Sequence, residues 1–156
     1  MFHMPAHVIR RAPRSPRTQS KRVREMADAM LTYLNLFDAE LSVLLTDDET
    51  IRRLNRRYRH TDRPTDVLSF HFDSSLTPPS LNGPRLLGDI VISLDTAARQ
   101  ASGRRRPLLA ELRWLLAHGI LHLLGFDHAR ARQKRRMVAW TRRLVRCARI
   151  SPIDAQ

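Results

Sequence analysis

The sequence predicts an α+β protein in which helices pack on a small sheet, within one domain spanning residues 1–156. Short apolar runs of strand length lie between longer segments whose apolar residues recur every three or four positions. The chain has 156 residues, of which 42% are hydrophobic, so it is long enough to bury one core. We find no internal repeat and no apolar run of membrane-spanning length.

Each predicted element follows from a local pattern of residues. Short apolar or β-branched runs predict four strands, at about 7–11, 41–45, 66–72 and 86–93. Helical periodicity and capping residues predict five helices, at about 21–36, 46–58, 93–100, 107–124 and 129–150. The third of these helices is capped by either Ser93 or Asp95. Thr46-Asp-Asp-Glu49 has the form of a capping box for the second of these helices. The segment 73–84 is rich in Ser and Pro and predicts an exposed loop.

The charge of the chain predicts attraction to polyanions. It contains 28 Lys and Arg residues against 15 Asp and Glu residues, which gives a formal net charge of +13. Nucleic acid is therefore the first candidate partner, and an anionic membrane surface is a weaker one. Two segments hold basic residues without any acidic residue: residues 1–24, predicted to be a partly mobile N-terminal arm, and the predicted C-terminal helix at 129–150.

The cysteine content limits the compartment and the kind of metal site. Cys147 is the single cysteine, which excludes an internal disulfide and a thiolate-rich metal site. It suits a reducing compartment, and the first residues lack an apolar segment of signal-peptide type, so we expect a cytoplasmic protein. Any bound metal must be held by nitrogen and oxygen ligands.

The stretch His118-Gly-Ile-Leu-His122-Leu-Leu-Gly125-Phe-Asp-His128 contains three of the seven histidines. In a helix, His118 and His122 would lie one turn apart on the same face. Gly125 would end that helix, because glycine adopts left-handed backbone angles at little cost. The reversal could bring His128 back towards the other two. Three imidazoles and one open tetrahedral position are the ligand set of a catalytic zinc site.

Less specific interpretations of these histidines remain. They could be hydrogen-bonded side chains of the core, or they could hold a structural metal. If they hold a catalytic dication, neutral ligands leave its full charge to lower the pKa of water and to polarise a carbonyl or phosphoryl oxygen. The spacing HxxxHxxGxxH is that of metzincin peptidases, which carry a glutamate after the first histidine as general base. Gly119 occupies that position, which weakens the peptidase hypothesis. The positive net charge of the chain instead favours a phosphodiester as the substrate.

Three ordered motifs lie within roughly residues 40–128. They are Leu54-Asn-Arg-Arg-Tyr-Arg59 followed by Asp62-Arg-Pro-Thr-Asp-Val-Leu-Ser-Phe70, then Leu87-Gly-Asp-Ile-Val-Ile-Ser93, and then the histidine stretch. Through these motifs the chain resembles the YbeY family of bacterial endoribonucleases.

The resemblance implies a fold, a cofactor and an activity. The fold is a small mixed sheet of four strands surrounded by helices, with a metzincin-like metal site. One zinc ion per chain would be held by His118, His122 and His128, and Arg59 would be needed for RNA cleavage. The implied function is metal-activated attack of water on single-stranded RNA, in maturation of the 3′ end of 16S rRNA and in ribosome quality control. The implied partners are the small ribosomal subunit and ribosomal or assembly proteins.

Other polar residues are weaker candidates. Asp66 and Asp89 lie at or inside predicted strands, where a carboxylate is either structural or supports a ligand histidine. Glu111 and Asp127 are weak candidates for the proton acceptor. His71 stands where the family usually has proline. We interpret it as a surface residue, together with His3, His7 and His60.

Three functions compete at this stage. The first is a zinc-dependent endoribonuclease, and the second is a non-catalytic ribosome assembly factor that binds rRNA and whose zinc only stabilises the fold. The third, a metallopeptidase, is weakened by Gly119. The basic helix at 129–150 and the basic N-terminal arm differ from many family members, which affects the surface that meets RNA rather than the metal site.

Overall fold

A mixed sheet forms the centre of the fold. The computed structural model describes residues 6–10, 17–72, 85–127 and 129–149. In these residues the sheet has the strand order β1-β2-β4-β3. The strands are β1 (His7–Arg10), β2 (Ala39–Thr46), β3 (Val67–His71) and β4 (Arg85–Ser93). β2 pairs with β1 and β4 in parallel, and β3 pairs with β4 antiparallel.

Five helices surround the sheet. They are α1 (Arg17–Tyr33), α2 (Asp48–Arg59), α3 (Leu94–Gly103), α4 (Leu108–Leu123) and α5 (Ala131–Cys147). The predicted α+β class is confirmed, and the described part of the chain contains the five predicted helices. None of the described helices is both long enough and apolar enough to cross a membrane.

The first helix differs from its prediction at both ends. It begins at Arg17 rather than at position 21, so the last part of the predicted basic arm is helical. It ends at Tyr33 rather than at position 36, because Asn35 adopts left-handed angles with a φ of 57°. The amide of Leu36 then donates to the carbonyl of Leu31 at 2.9 Å and closes the turn. The apolar period therefore continues beyond the helix that it predicts. Positions 1–5 and 11–16 of the arm lie outside the described residues.

The main core lies between one face of the sheet and helices α1 and α4. Alternate residues of the two central strands point into it, as the pleat of a strand requires. Each is fully buried: Leu41, Val43, Leu45, Ile90 and Ile92. They form one apolar cluster with buried residues of the helices, among them Met26, Met30, Leu112, Leu116 and Ile120. Each buried side chain of this size contributes about 1.5–3 kcal/mol.

Gly119 allows α4 to lie close to the sheet. A Cβ atom at this position would meet Cδ1 of Ile90 at 2.9 Å and its Cγ2 at 3.0 Å. Ser69 of β3 also donates from its hydroxyl to the carbonyl oxygen of Gly119, at 3.3 Å. Position 119 therefore points at the core, and the helix face that carries the histidines lies elsewhere.

The opposite face of the sheet carries a smaller cluster under α2. Ile51 and Leu54 of the helix pack with residues of three strands: Leu44, Leu68, Phe70 and Val91. The helix begins one residue later than the predicted capping box, because Asp47 rather than Thr46 is the N-cap and accepts from the amide of Thr50 at 2.8 Å. Thr46 is buried at the end of β2.

Candidate active site

His118 and His122 lie side by side near the C-terminal end of α4. Their Nε2 atoms are 3.1 Å apart, and both side chains are half-buried. The predicted projection of the two imidazoles from one helix face is confirmed, since residues four apart are neighbours on a helix.

The geometry of this pair fits a zinc ion. Zinc binds imidazole nitrogen at about 2.0–2.1 Å, so two ligands of a tetrahedral ion lie roughly 3.3 Å apart. The observed 3.1 Å between the Nε2 atoms is close to that edge. Among the described residues no third His, Cys, Asp or Glu completes a metal-binding group with them. His128, the predicted third ligand, lies outside the described residues.

The turn after His122 is built as the sequence predicts. Gly125 has a φ of +90°, a left-handed angle that favours glycine. Its amide donates to the carbonyl of His122 at 3.0 Å, and the amide of Phe126 donates to the carbonyl of Leu121 at 3.0 Å. These two bonds form a Schellman motif, which ends α4 and reverses the chain directly beyond the histidine pair.

Beside this turn lies a cleft of about 450 Å³. It is lined by Arg59, Ser69, His71, His122, Gly125, Phe126 and Asp127. Arg59 comes from the last turn of α2 and His122 from α4, so the fold brings a predicted catalytic arginine and a predicted metal ligand to one cavity. The exposed Arg59 donates from Nη2 to the carbonyl oxygen of Ser69 at 2.9 Å. Its guanidinium also lies 5.9 Å from the centre of the Phe70 ring.

His71 belongs to this cleft, which the sequence did not indicate. We interpreted it as a surface residue, and its side chain is indeed exposed. Its Nε2 atom, however, lies 3.0 Å from the carbonyl oxygen of His122, which can only accept a hydrogen bond. His71 therefore donates to the backbone of a candidate metal ligand. The two residues are far apart in the sequence, so no local pattern could reveal the contact.

The structure excludes one of the carboxylates considered as the proton acceptor. Glu111 is fully buried and forms ion pairs with Arg104 and Arg106. These ion pairs join the α3–α4 connection to α4. At a rise of 1.5 Å per residue, Glu111 lies about 10 Å along the helix from His118. It is therefore not the proton acceptor of this site, and that hypothesis was wrong. A buried carboxylate of this kind requires its paired cations.

The three candidate aspartates, Asp66, Asp89 and Asp127, lie in three different places in the fold. Asp66 is structural, since its carboxylate accepts from the amide of Val67 at 2.7 Å and from Nε2 of Gln100 at 3.1 Å. Asp127 is exposed and lines the cleft. Asp89 is exposed on β4 and faces a second cavity, on the side of the sheet that carries α2.

The family model for Endoribonuclease YbeY matches residues 10–148 of the chain. The chain belongs to the YbeY family. The resemblance that the three sequence motifs indicated is thereby confirmed. The matched range contains Arg59, His118, His122 and His128.

Curated YbeY proteins are similar over most of this chain. Endoribonuclease YbeY of Anaeromyxobacter sp. (strain Fw109-5) is 54% identical over 121 residues, which cover 78% of this chain and 60% of that protein. The Myxococcus xanthus protein of the same name is 52% identical over 76% of this chain and 40% of its own length. That of Heliobacterium modesticaldum is 40% identical over 88% of each. The chain thus matches about half the length of the first two YbeY relatives.

A solution structure from Thermotoga maritima supports the fold. It aligns with a TM-score of 0.65 and covers 92% of this YbeY chain and 88% of its own. The two sequences are 23% identical, so this likeness concerns the fold alone.

Proposed function

We propose that this YbeY protein is a zinc-dependent, single-strand-specific endoribonuclease that acts in maturation of the 3′ end of 16S rRNA and in ribosome quality control. The name of its relatives, Endoribonuclease YbeY, supports RNA as the substrate class. The observation that carries the proposal is that Arg59 of α2 and His122 of α4 line one cleft.

His118, His122 and His128 would hold the zinc, and each needs to be neutral to do so. A bound zinc ion would lower the pKa of a water molecule and would polarise a phosphoryl oxygen. The hydrogen bond from His71 to the carbonyl of His122 holds the end of α4 in place beside this group. Such outer contacts fix the orientation of a metal ligand.

Arg59 would bind the phosphate of the scissile bond. Its guanidinium has five N–H donors, and the hydrogen bond to Ser69 uses one of them. A planar cation oriented in this way can form paired hydrogen bonds with phosphate oxygens. Because negative charge on those oxygens develops during cleavage, a positioned cation lowers the barrier more than it strengthens binding.

The basic helix α5 supports an RNA substrate. Its exposed cations are Arg132, Lys134, Arg135, Arg136, Arg142, Arg143 and Arg146. Arg136 lies over the Phe126 ring at 5.5 Å, and Phe126 lines the cleft. Arg143 lies over the Trp140 ring at 4.9 Å, and that ring in turn contacts Phe126. A basic surface with interleaved aromatic residues therefore begins at the wall of the cleft, as RNA recognition favours.

The packing of Gly119 disfavours a peptidase. In the metzincin pattern this position holds the glutamate that serves as general base. Here the position points at Ile90 in the core, so a carboxylate at residue 119 would enter the apolar interior. The missing glutamate thus follows from the packing of the helix against the sheet.

Metal analysis combined with an RNA cleavage assay tests the proposal. Protein purified without a nickel column should contain one zinc per chain and cleave single-stranded RNA, and a chelator should abolish cleavage. His122→Ala should lose both metal and cleavage. The matched control is His60→Asn, at an exposed histidine whose φ of 56° asparagine tolerates.

Two outcomes would contradict the proposal. Full cleavage by His122→Ala would separate the histidine pair from the chemistry. A zinc-loaded wild type that binds ribosomes but leaves purified single-stranded RNA intact would favour the non-catalytic assembly factor instead. In that case chelation should leave ribosome association unchanged.

A further inference from the structure

A second cavity of about 550 Å³ adjoins the cleft on the α2 side of the sheet. We call it the aromatic groove. It is lined by Ser42, Leu44, Leu54, Tyr58, Phe70, His71, Asp89 and Val91. Its volume lies in the range of cavities that hold small organic groups, roughly 300–1,000 Å³.

The register of the sheet explains how this groove forms. Asp89 of β4 pairs with Ser42 on one side and with Phe70 on the other, so the three side chains form a row across one face. The next row on that face, Leu44, Val91 and Leu68, packs under Ile51 and Leu54 of α2. The row of Asp89 lies at the floor of the groove instead, and Tyr58 in the last turn of α2 forms its wall.

The chemistry of the lining favours a planar group with N–H donors. Tyr58 is 53% exposed, and its ring meets that of Phe70 in a T-shaped contact at 5.3 Å. Two leucines and a valine complete the apolar surface. Asp89 forms no ion pair with any residue that the structure describes, and as an acceptor it attracts N–H groups and repels phosphate. A nucleobase presents an apolar ring face and polar edges, and the lining offers partners for both.

The groove is continuous with the position proposed for the phosphate. His71 lines both cavities. Phe70 contributes its ring to the groove, while the guanidinium of Arg59 lies 5.9 Å from the centre of the same ring. A phosphate at Arg59 and a base in the groove would therefore be neighbours along one strand. The cations Arg57 and Arg59 flank the aromatic wall and suit a polyanionic backbone.

We propose that the aromatic groove is a subsite for one unpaired nucleobase that flanks the cleaved phosphodiester of RNA. This inference rests on the proposed function, because it assumes an RNA substrate at Arg59. A base that is stacked and paired in a duplex cannot enter a groove between a helix and a sheet. Capture of one base therefore explains how a small domain selects single strands by shape.

Abasic RNA oligonucleotides test the subsite. A series of single-stranded RNAs of one sequence carries one abasic nucleotide at successive positions. At one position next to the cleaved bond, loss of the base should lower kcat/KM of the wild type roughly 5- to 150-fold, the range found when one stacking aromatic side chain is replaced by alanine. Tyr58→Ala should lower kcat/KM on intact RNA by a similar factor.

The two changes should not add. If the base stacks on Tyr58, the abasic site should lower the kcat/KM of Tyr58→Ala only slightly, because this variant has already lost the stacking contact. The matched control is Tyr33→Ala, at a tyrosine that is 48% exposed at the end of α1. It should retain the wild-type response to the abasic site. Tyr58→Leu keeps an apolar contact with Phe70 while removing the ring, and it replaces Tyr58→Ala if circular dichroism shows that the alanine variant is unfolded.

The same comparison is made by RNA affinity in the presence of a chelator, so that binding and cleavage are separated. Wild-type protein that binds RNA but never cleaves it would overturn the proposed function, and the affinity comparison would still decide the subsite. Additive losses, or undiminished RNA affinity and cleavage in the Tyr58 variants, would overturn the subsite.

Discussion

Arg59 donates a hydrogen bond from Nη2 to the backbone carbonyl oxygen of Ser69 at 2.9 Å and thereby joins the end of α2 to β3. Both residues line the cleft that His122 also lines. It orients a cation that, in the sequence alone, is only one of the five arginines of α2. The position of this guanidinium leads to the first prediction.

Arg59→Glu should abolish most of the RNA cleavage while leaving metal content unchanged. Loss of one oriented donor in a transition-state site typically lowers kcat roughly 100- to 1,000-fold. Arg59→Lys should be intermediate, because an ammonium keeps the charge but cannot form the paired hydrogen bonds of a guanidinium. Single-turnover cleavage of a labelled RNA and zinc analysis of each variant measure the two effects.

Arg53→Glu is the control, since Arg53 is exposed on the same helix but does not line the cleft. It makes the same change of charge and should retain most of the wild-type kcat. Unchanged cleavage by Arg59→Glu would remove Arg59 from the mechanism.

Gly119→Ala should destabilise the fold. The added Cβ would lie 2.9 Å from Cδ1 of Ile90, so the core must shift, and overpacking of this kind costs about 1–3 kcal/mol. Urea unfolding followed by circular dichroism measures the change. Gly103→Ala is the matched control, because a Cβ there meets nothing within 4 Å and alanine favours the helix. Equal unfolding midpoints for the two variants would contradict the close packing of α4 on β4.

Protonation of the Asp48 carboxylate should make the protein less stable at low pH. Partial burial by itself would raise the pKa of its carboxyl, but hydrogen bonds from Ser93, Thr96 and Arg99 together hold that pKa below its ordinary value of 3.8. The contacts join the start of α2 to α3: both hydroxyls donate to Oδ1 at 2.6 Å, and Arg99 donates to Oδ2 at 2.7 Å. The folded state therefore favours the charged carboxylate.

The direction of the pH effect follows from this lowered pKa. The unfolded state takes up the proton first, so the stabilisation is present above about pH 4 and is lost as the pH falls through the lower folded-state pKa. The urea midpoint of the wild type should thus fall steeply below about pH 4, and that of Asp48→Asn should fall less. Asp38→Asn, outside this network, should keep the wild-type acid slope. Identical slopes for Asp48→Asn and the wild type would contradict the prediction.

Arg136→Gln should weaken RNA binding and reduce its dependence on salt. A contact with one phosphate of a single strand contributes about 0.7 to the slope of log affinity against log salt concentration. Fluorescence anisotropy with a chelator present, at several salt concentrations, measures that slope. Arg105→Gln is the control, since Arg105 is exposed beyond the other end of α4, about 24 Å from the cleft at 1.5 Å per residue. Equal slopes for both variants would mean that Arg136 does not contact a phosphate of the RNA.

Much of the local structure could be predicted because it depends on neighbouring residues. Ser93, one of the two caps predicted for α3, is the N-cap, since its hydroxyl accepts from the amide of Thr96 at 3.2 Å. Gly125 ends α4 because its left-handed angles suit glycine. The errors were also local, as where Asp47 rather than Thr46 caps α2. Two residues that can both accept from the first amides of a helix are separated only by where the strand before them ends.

The sequence by itself determined the α+β class, the i, i+4 pair of His118 and His122 and the family, because periodicity and spacing carry that information. Only the tertiary structure decided that Arg59, His71 and His122 line one cleft and that Glu111 is buried in ion pairs elsewhere. These relations depend on strand order and register, which bring together residues distant in the chain. These side chains are far apart in the sequence, and the cleft that they line forms only when α2, β3 and α4 pack together.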